Sequence, residues 1–97
     1  MKKGERAGAI LGADGDVVEF FGYGIYNGEE VPKEASGLLG KMLTSTNMKN
    51  PCILLDNGKK VYGCECWWGP EEQIKERLGQ YKEVRIADID EVRNQEG

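Results

Sequence analysis

The segment Gly63–Pro70 (GCECWWGP) concentrates the residue types that could do chemistry in this chain. Side chains alternate between the two faces of a β-strand, so Glu65 and Trp67 should share one face, while the two cysteines and Trp68 share the other. An indole ring stacks on other rings, and a carboxylate accepts hydrogen bonds from N–H groups. Glu65 and Trp67 therefore predict a recognition site. The structural alternative is an outer strand face that another subunit or a loop covers.

The segment Gly22–Tyr26 (GYGIY) adds two tyrosines to the candidate site. Glycine inside a strand often marks a bulge or the close approach of a ligand. Tyr23 and Tyr26 are an odd number of residues apart, so they should face opposite sides of the sheet unless a bulge lies between them. One interpretation is a groove in which an exposed tyrosine stacks on a ring. The other is a strongly bent strand in a small, barrel-like sheet.

Basic residues that follow Asn57-Gly58 and Gly69-Pro70 could hold a phosphate, with Lys60 and Arg77 as the candidates. A solvated charged face is the structural alternative. Together these segments predict a set of ligand-binding residues, which are Tyr23, Tyr26, Lys60, Glu65, Trp67, Trp68 and Arg77.

The cysteines and the absence of histidine limit metal and covalent chemistry. The chain has no His, which excludes Ser-His and Cys-His nucleophile pairs. The C-x-C spacing differs from the spacing of structural zinc sites, and a fourth ligand would have to be a carboxylate. We therefore predict no metal site and no cofactor. Zinc held by Cys52, Cys64 and Cys66 is the alternative.

Composition predicts a soluble, acidic protein. Ninety-seven residues suit a single domain spanning 1–97, and 13 Lys+Arg against 17 Asp+Glu give a net charge of −4. That charge argues against duplex DNA as a partner, because phosphate neutralisation needs clustered basic residues. No apolar run approaches the ~20 residues that cross a membrane, and no signal peptide is recognisable. Three cysteines are too few and odd in number for a disulfide framework, so we expect reduced thiols in the cytoplasm.

Three Asx-Gly pairs predict the turns of hairpins, because both residues tolerate positive φ angles. They are Asp14-Gly15, Asn27-Gly28 and Asn57-Gly58. The middle pair is the weakest, since the short segment after it ends at Pro32.

Two helices and a last strand complete the expected fold. One apolar stripe is formed by Ala35, Leu38, Leu39, Met42 and Leu43, and a second, after Gly69-Pro70, by Ile74, Leu78 and Tyr81. Alternation over 83–89 predicts a strand, and 91–97 should be a frayed tail. The order β-β-(β)-α-β-β-α-β predicts an α+β fold: a mainly antiparallel sheet of four to six strands with two helices on one face.

The combination of Val18–Tyr26 with Asp56–Pro70 resembles a group of small uncharacterised bacterial and phage proteins. The resemblance covers most of the chain, and no activity or binding residue comes with it. What it implies is an accessory protein of a mobile element. Many accessory proteins of mobile elements are small, acidic and non-enzymatic, and some of them block a host enzyme or sequester a nucleotide signal of antiviral defence.

These observations predict a binding protein, more readily than an enzyme, that sequesters a small nucleotide-derived ligand or signal of host defence. So small a domain has little room for an enclosed pocket, so we expect a homo-oligomer with the exposed Trp at its seam. One alternative is an inhibitor that binds a host protein through an acidic and aromatic surface. Another is a small hydrolase or lyase that uses carboxylates such as Glu65, Asp88 and Asp90.

Overall fold

The structure is a computed structural model that describes residues 1–96, except for the side chains of Leu38, Leu39 and Glu96. It confirms the α+β class and the mainly antiparallel sheet. The strands are β1 (Arg6–Asp14), β2 (Val17–Glu30), β3 (Asn50–Leu55), β4 (Lys60–Tyr62), β5 (Trp67–Pro70) and β6 (Glu83–Ile86). The helices are α1 (Gly37–Ser45), α2 (Glu71–Leu78) and α3 (Ile89–Glu96), and a short 3₁₀ helix spans Gly63–Glu65.

The long strand β2 organises the sheet. Its antiparallel neighbour on one edge is β1, and the order along the sheet is β4-β3-β2-β1-β5. On the other edge, β2 pairs with β3 through its C-terminal half, from Gly24 to Glu30. Its N-terminal residues Val17–Phe20 pair on that same edge with β6, which runs parallel to it. Strand β2 thereby pairs with three other strands, β1, β3 and β6.

Two of the three predicted turns are confirmed. Gly15 joins β1 to β2 with φ +60°, and Gly58 joins β3 to β4 with φ +88°. The hairpin predicted at Asn27-Gly28 was wrong, because β2 runs straight through it. Gly28, with φ +79°, lies instead where the pairing of β2 with β3 shifts register. Pairing with β3, which lies further along the chain, thus keeps this part of β2 extended.

A bulge in β2 distributes the aromatic residues between the two faces of the sheet. The register of β2 against β1 shifts near Gly22, which has φ +136°. The neighbouring Phe20 and Phe21 are both buried, but they belong to different apolar clusters. Tyr23, beyond the bulge, returns to the face of Phe20 and meets its ring edge-on at a centroid distance of 4.8 Å. Gly22 therefore marks a β-bulge, which is one of the features that glycine inside a strand predicts.

The two clusters lie on opposite faces of the sheet, and each has its own helix. Successive residues of β1 show this, since Ala9 belongs to the cluster with Ile89 of α3, and Ile10 to the cluster with Ile74 of α2. The sequence predicted two helices on one face of the sheet. The structure adds a third helix, α3, on the face opposite to α2. The stripe predicted for α2 is confirmed, because Leu78 and Tyr81 pack beside Ile74.

Contact between α2 and the sheet depends on a glycine of β1. Gly8 of β1 lies opposite Gly69 of β5. A Cβ atom on Gly8 would come within 2.8 Å of Cγ2 of Ile74, so only a glycine lets the helix approach this closely. The helix begins directly after β5, and Glu71 and Glu72 in its first turn face the positive end of its dipole.

The C-terminal part of the chain differs most from expectation. The strand predicted over 83–89 ends at Ile86, and the tail predicted to be frayed from 91 is helical up to Glu96. Burial of Ile89, which is 1% exposed, fixes the start of α3 on the sheet. Among the described residues, no helix is long and apolar enough to cross a membrane.

The first predicted helix is only partly as expected. It begins at Gly37, after the first residue of the predicted stripe, and continues to Ser45, beyond the last one. Met42, from the predicted inward stripe, is 55% exposed. Leu38 and Leu39 of that stripe lie outside the described side chains.

Replacing Gly8 by Ala should destabilise the protein by about 1–3 kcal/mol, because the added methyl group must displace α2. Gly12→Ala is the matched control, since no atom lies within 4 Å of a Cβ at Gly12 and its strand is the same. Urea unfolding followed by circular dichroism measures both variants. Equal stability of the two would contradict the close packing described.

Candidate functional site

An exposed tryptophan and an arginine form a cleft at the edge of the sheet, here called the Trp67 cleft. Trp67 is 61% exposed, and the guanidinium carbon of Arg77 lies 5.0 Å from the centroid of its ring. This is a cation–π geometry. The cleft has a volume of about 230 Å³, and its lining is Trp67, Trp68, Gly69, Gln73, Ile74 and Arg77.

The cleft follows from the way β5 and α2 join. Trp67 lies opposite Ile10 of β1, so its side chain emerges on the face that α2 covers. Packing of Ile74 over Gly8 and Gly69 holds the helix against that face. Gln73 and Arg77 are four residues apart on α2, and side chains at this spacing lie on one side of a helix. Both of them therefore line the same cleft as Trp67.

The neighbouring Trp68 lines the cleft and also packs in the core. Its ring stacks on Tyr26 with a centroid distance of 5.3 Å and an angle of 2° between the planes, and both residues pack on the cluster that contains Ile89. Tyr23 packs on the other cluster, beside Phe20. The two tyrosines thus face opposite sides of the sheet, as their spacing predicted. They are not brought together into one groove.

Glu65 has a different environment from Trp67, because the segment Gly63–Pro70, predicted to be a strand, begins with the 3₁₀ helix. Its carboxylate accepts hydrogen bonds from Nε and Nη2 of Arg93 at 2.8 and 2.7 Å. It also accepts one from the backbone N–H of Tyr62 at 3.1 Å. Both side chains of the Glu65–Arg93 pair are only 11% exposed. The predicted recognition pair of Glu65 with Trp67 is thus replaced by a nearly buried ion pair.

Lys60 also has a partner within the chain. Its ammonium lies 2.8 Å from the carboxylate of Glu30, and this hydrogen bond raises the pKa of Lys60 and lowers that of Glu30. Close by, the hydroxyl of Tyr62 donates to Glu34. Burial, followed by this carboxylate, raises the pKa of Tyr62. Lys60 therefore belongs to a network of paired charges and not to the Trp67 cleft.

A wide groove lies beside this network. Its volume is about 820 Å³, and it is lined by Glu34, Ser36, Asp90, Arg93 and Asn94. Arg93, its cationic residue, already donates to Glu65 and to the carbonyl oxygen of Lys60. The positive charge of Arg93 is therefore already engaged within the protein.

The three cysteines do not form the alternative zinc site. Within residues 1–96, no group of three or more Cys, Asp or Glu side chains has a geometry that could hold a metal ion. Cys52 is fully buried in β3, and Cys66 donates through its thiol to the carbonyl oxygen of Tyr62 at 3.3 Å. Burial, followed by the charge of Glu30, raises the pKa of Cys52 to about 12. Burial, followed by the charge of Glu65, raises that of Cys66 to about 12 as well.

The carboxylates considered for acid–base chemistry are paired. Lys59 bridges Asp88 and Asp90 at 2.9 and 3.0 Å. Its hydrogen bond lowers the pKa of Asp88, whereas a general acid at neutral pH needs a raised pKa. These contacts join the turn after β3 to the start of α3.

Sequence reasoning missed two residues of these sites. Gln73 could have been found from its spacing of four residues to Arg77. Arg93 gave no local signal, since its partner Glu65 is 28 residues away and the segment around it was read as a frayed tail.

Comparison of the chain with protein-family models, with curated proteins and with solved structures found no match. The resemblance to phage proteins therefore stays a prediction. Only the geometry of the Trp67 cleft and of the charged network bears on function.

Replacing Arg93 by Ala should destabilise the protein by about 3–5 kcal/mol, because Glu65 would keep its charge in a nearly buried place without a partner. Urea unfolding at neutral pH measures the loss. Lys75→Ala is the control, since its ion pair with Glu72 is exposed and 3.9 Å long, and such pairs contribute ~0–1 kcal/mol. A loss no larger than that of the control would contradict the importance of the pair.

Cys52 and Cys66 should resist alkylation by iodoacetamide in the native protein at pH 8. With pKa values of about 12 in place of 9.0, their thiolate fraction is on the order of a thousandfold lower than that of an ordinary cysteine. Peptide mass spectrometry reports modification at each position, and protein unfolded in urea is the control. Rapid native alkylation at either position would refute the buried state.

The same shifts in the pKa of Cys52 and Cys66 predict that stability falls as the pH rises from about 9 towards 12, because the thiols ionise first in the unfolded chain.

Proposed function

We propose that this protein binds a small, planar, anionic ligand of nucleotide type in the Trp67 cleft, and that it acts by holding this ligand. One observation carries the proposal: a tryptophan that is 61% exposed lies against the guanidinium of Arg77 in a concave site. Aromatic faces stack on nucleobases, and guanidinium groups bind phosphate. The cleft offers both functions within one small volume.

The chemistry of the lining supports this ligand class. Gln73 supplies an amide that can donate to and accept from the edge of a base. Ile74 and the ring of Trp67 supply the apolar walls that a planar ring needs. Arg77 carries the positive charge, and among the ion pairs of the described residues none involves it. Its charge is therefore available to a phosphate.

The size of the cleft limits what it encloses. A volume of about 230 Å³ lies below the ~300–1,000 Å³ that is typical of sites for drug-sized ligands. It suits one ring system, while the rest of a nucleotide would extend along α2. Affinity would then come mainly from the stacked ring and one phosphate contact.

Sequestration is the mode of action that we propose, in the cytoplasm and as an accessory of a phage or another mobile element. Of the residues predicted from sequence, this site uses Trp67, Arg77 and one side of Trp68. Tyr23, Tyr26, Lys60 and Glu65 have other contacts, which were described above, and the proposal does not include them. Nothing in the geometry favours the alternatives of a host-protein inhibitor or a carboxylate-dependent enzyme.

Native mass spectrometry of protein purified from bacterial cells is the direct test. A mass excess of nucleotide size that is lost on denaturation would support sequestration, and its exact mass would identify the ligand. A stable complex with one host protein and without a small molecule would instead support the inhibitor.

Titration with adenosine 5′-monophosphate, followed by tryptophan fluorescence, tests the site itself. We expect quenching in the parent protein. Because Trp67→Ala lacks this reporter, its affinity is measured by calorimetric titration and should be at least about fivefold lower, since stacking on an aromatic side chain contributes ~1–3 kcal/mol per base. Arg77→Ala should weaken binding of the monophosphate but not of adenosine. Lys75→Ala removes the same charge from the same helix and should bind like the parent protein. Unchanged affinity in Trp67→Ala would show that the site is misplaced.

A further inference from the structure

Strand β6 is an open edge of the sheet. It pairs with β2, and within residues 1–96 it pairs with no other strand. All four of its residues are exposed, including the apolar Val84 at 43% and Ile86 at 76%. Open edges of this kind template the pairing of further strands.

The backbone of β6 presents hydrogen-bonding groups to this edge. The N–H of Glu83 donates to the carbonyl oxygen of Asp16, and the N–H of Ala87 to that of Phe20, so these residues direct their backbone groups towards β2. Backbone groups of alternate residues point to opposite neighbours in a parallel ladder. The N–H and C=O groups of Val84 and Ile86 therefore point away from the sheet.

The other two edges are protected, whereas β6 is not. Strand β5 ends at Pro70, which has no N–H to donate. On β4, the carbonyl oxygen of Lys60 already accepts a hydrogen bond from Arg93 at 2.9 Å. The charged side chains of β6, Glu83 and Arg85, are of opposite sign and form an ion pair with each other.

We propose that β6 pairs antiparallel with β6 of a second copy of this chain, about a two-fold axis at Val84. In this register, Glu83 of each copy lies opposite Arg85 of the other, and Val84 lies opposite Val84 with reciprocal backbone hydrogen bonds. Val84 and Ile86 lie together on one face of the joined sheet. The edge is thus complementary to itself in the backbone groups of Val84, in charge and in the apolar contact between the two Val84 side chains.

Charge selects this register over the adjacent one. A shift that keeps each side chain on its own face would place Val84 opposite Ile86 and Arg85 opposite Arg85. Like charges directly opposite each other destabilise a strand pair. The pairing of Glu83 with Arg85 avoids this repulsion.

The proposed dimer differs from the one expected from sequence, in which the exposed Trp lies at the seam. Trp67 is on β5, and β1 and β2 separate β5 from β6 in the sheet. Dimerisation through β6 would therefore leave the Trp67 cleft open, and it does not depend on the ligand proposed above. A four-residue edge is short of a standard interface, so the dimer should be weak and dependent on concentration.

Sedimentation velocity over protein concentrations from about 10 µM to about 1 mM tests this proposal. We expect a shift from monomer to dimer in this range. Arg85→Glu should raise the dissociation constant at least about tenfold, because Glu would then face Glu across the seam twice. The charge-swapped double variant Glu83→Arg, Arg85→Glu should restore dimerisation. Lys75→Glu, on α2, is the control with the same change of net charge and should leave the dimer intact.

Amide hydrogen exchange provides the second readout. The amides of Val84 and Ile86 should gain protection as the concentration rises, and they should lose it in Arg85→Glu. A monomer at every concentration would overturn the proposal and leave β6 for a strand of another protein. A dimer that Arg85→Glu does not weaken, or that the charge swap does not restore, would overturn it too.

Discussion

Strand β2 must satisfy backbone N–H and C=O groups along two edges over 14 residues, and most of the structure follows from how it does so. On one edge, β1 pairs with residues 17–25, and Gly4 and Glu5 continue the hydrogen bonding to Tyr26. The other is divided between β3, which arrives from the far side of α1, and β6, which arrives after α2. This shared strand brings segments that are distant in sequence into one sheet.

The bulges of β2 make this arrangement compatible with two apolar faces. A regular strand would place residues strictly alternately, whereas the shift near Gly22 returns Tyr23 to the face of Phe20. Phe21 can then fill the opposite cluster, where Ile89 of α3 packs. The sheet therefore needs a helix on each side, and α2 and α3 supply them.

Close contact on the α2 side creates the Trp67 cleft. Gly8 of β1 lets Ile74 approach the sheet, and the same helix then carries Gln73 and Arg77 alongside Trp67. On the other side, the nearly buried Glu65–Arg93 pair fixes α3 against the edge of β4. On the α2 side, the cation Arg77 thus lies beside the exposed ring of Trp67. On the α3 side, Arg93 is neutralised by Glu65 within the chain. This difference is why the Trp67 cleft is the better candidate for a ligand.

Local chemistry in the sequence determined the features that need only a few neighbouring residues. The turns at Gly15 and Gly58, the start of α2 after Pro70 and the opposite orientation of Tyr23 and Tyr26 follow from φ preferences, dipole complementarity and strand alternation. Strand alternation also placed Trp67 among the candidate residues, and Arg77 was a candidate because its positive charge could hold a phosphate.

Tertiary structure decided what depends on distant partners. The extended path through Gly28 requires β3, and the parallel edge position of β6 requires the N-terminal half of β2. The partner of Glu65 is Arg93, 28 residues away on α3, a helix that no local sequence pattern predicted. The sequence alone determined which side chains were candidates for a ligand site. The fold decided which of these candidates have partners within the chain, because backbone pairing and the burial of charge are satisfied only in the folded chain.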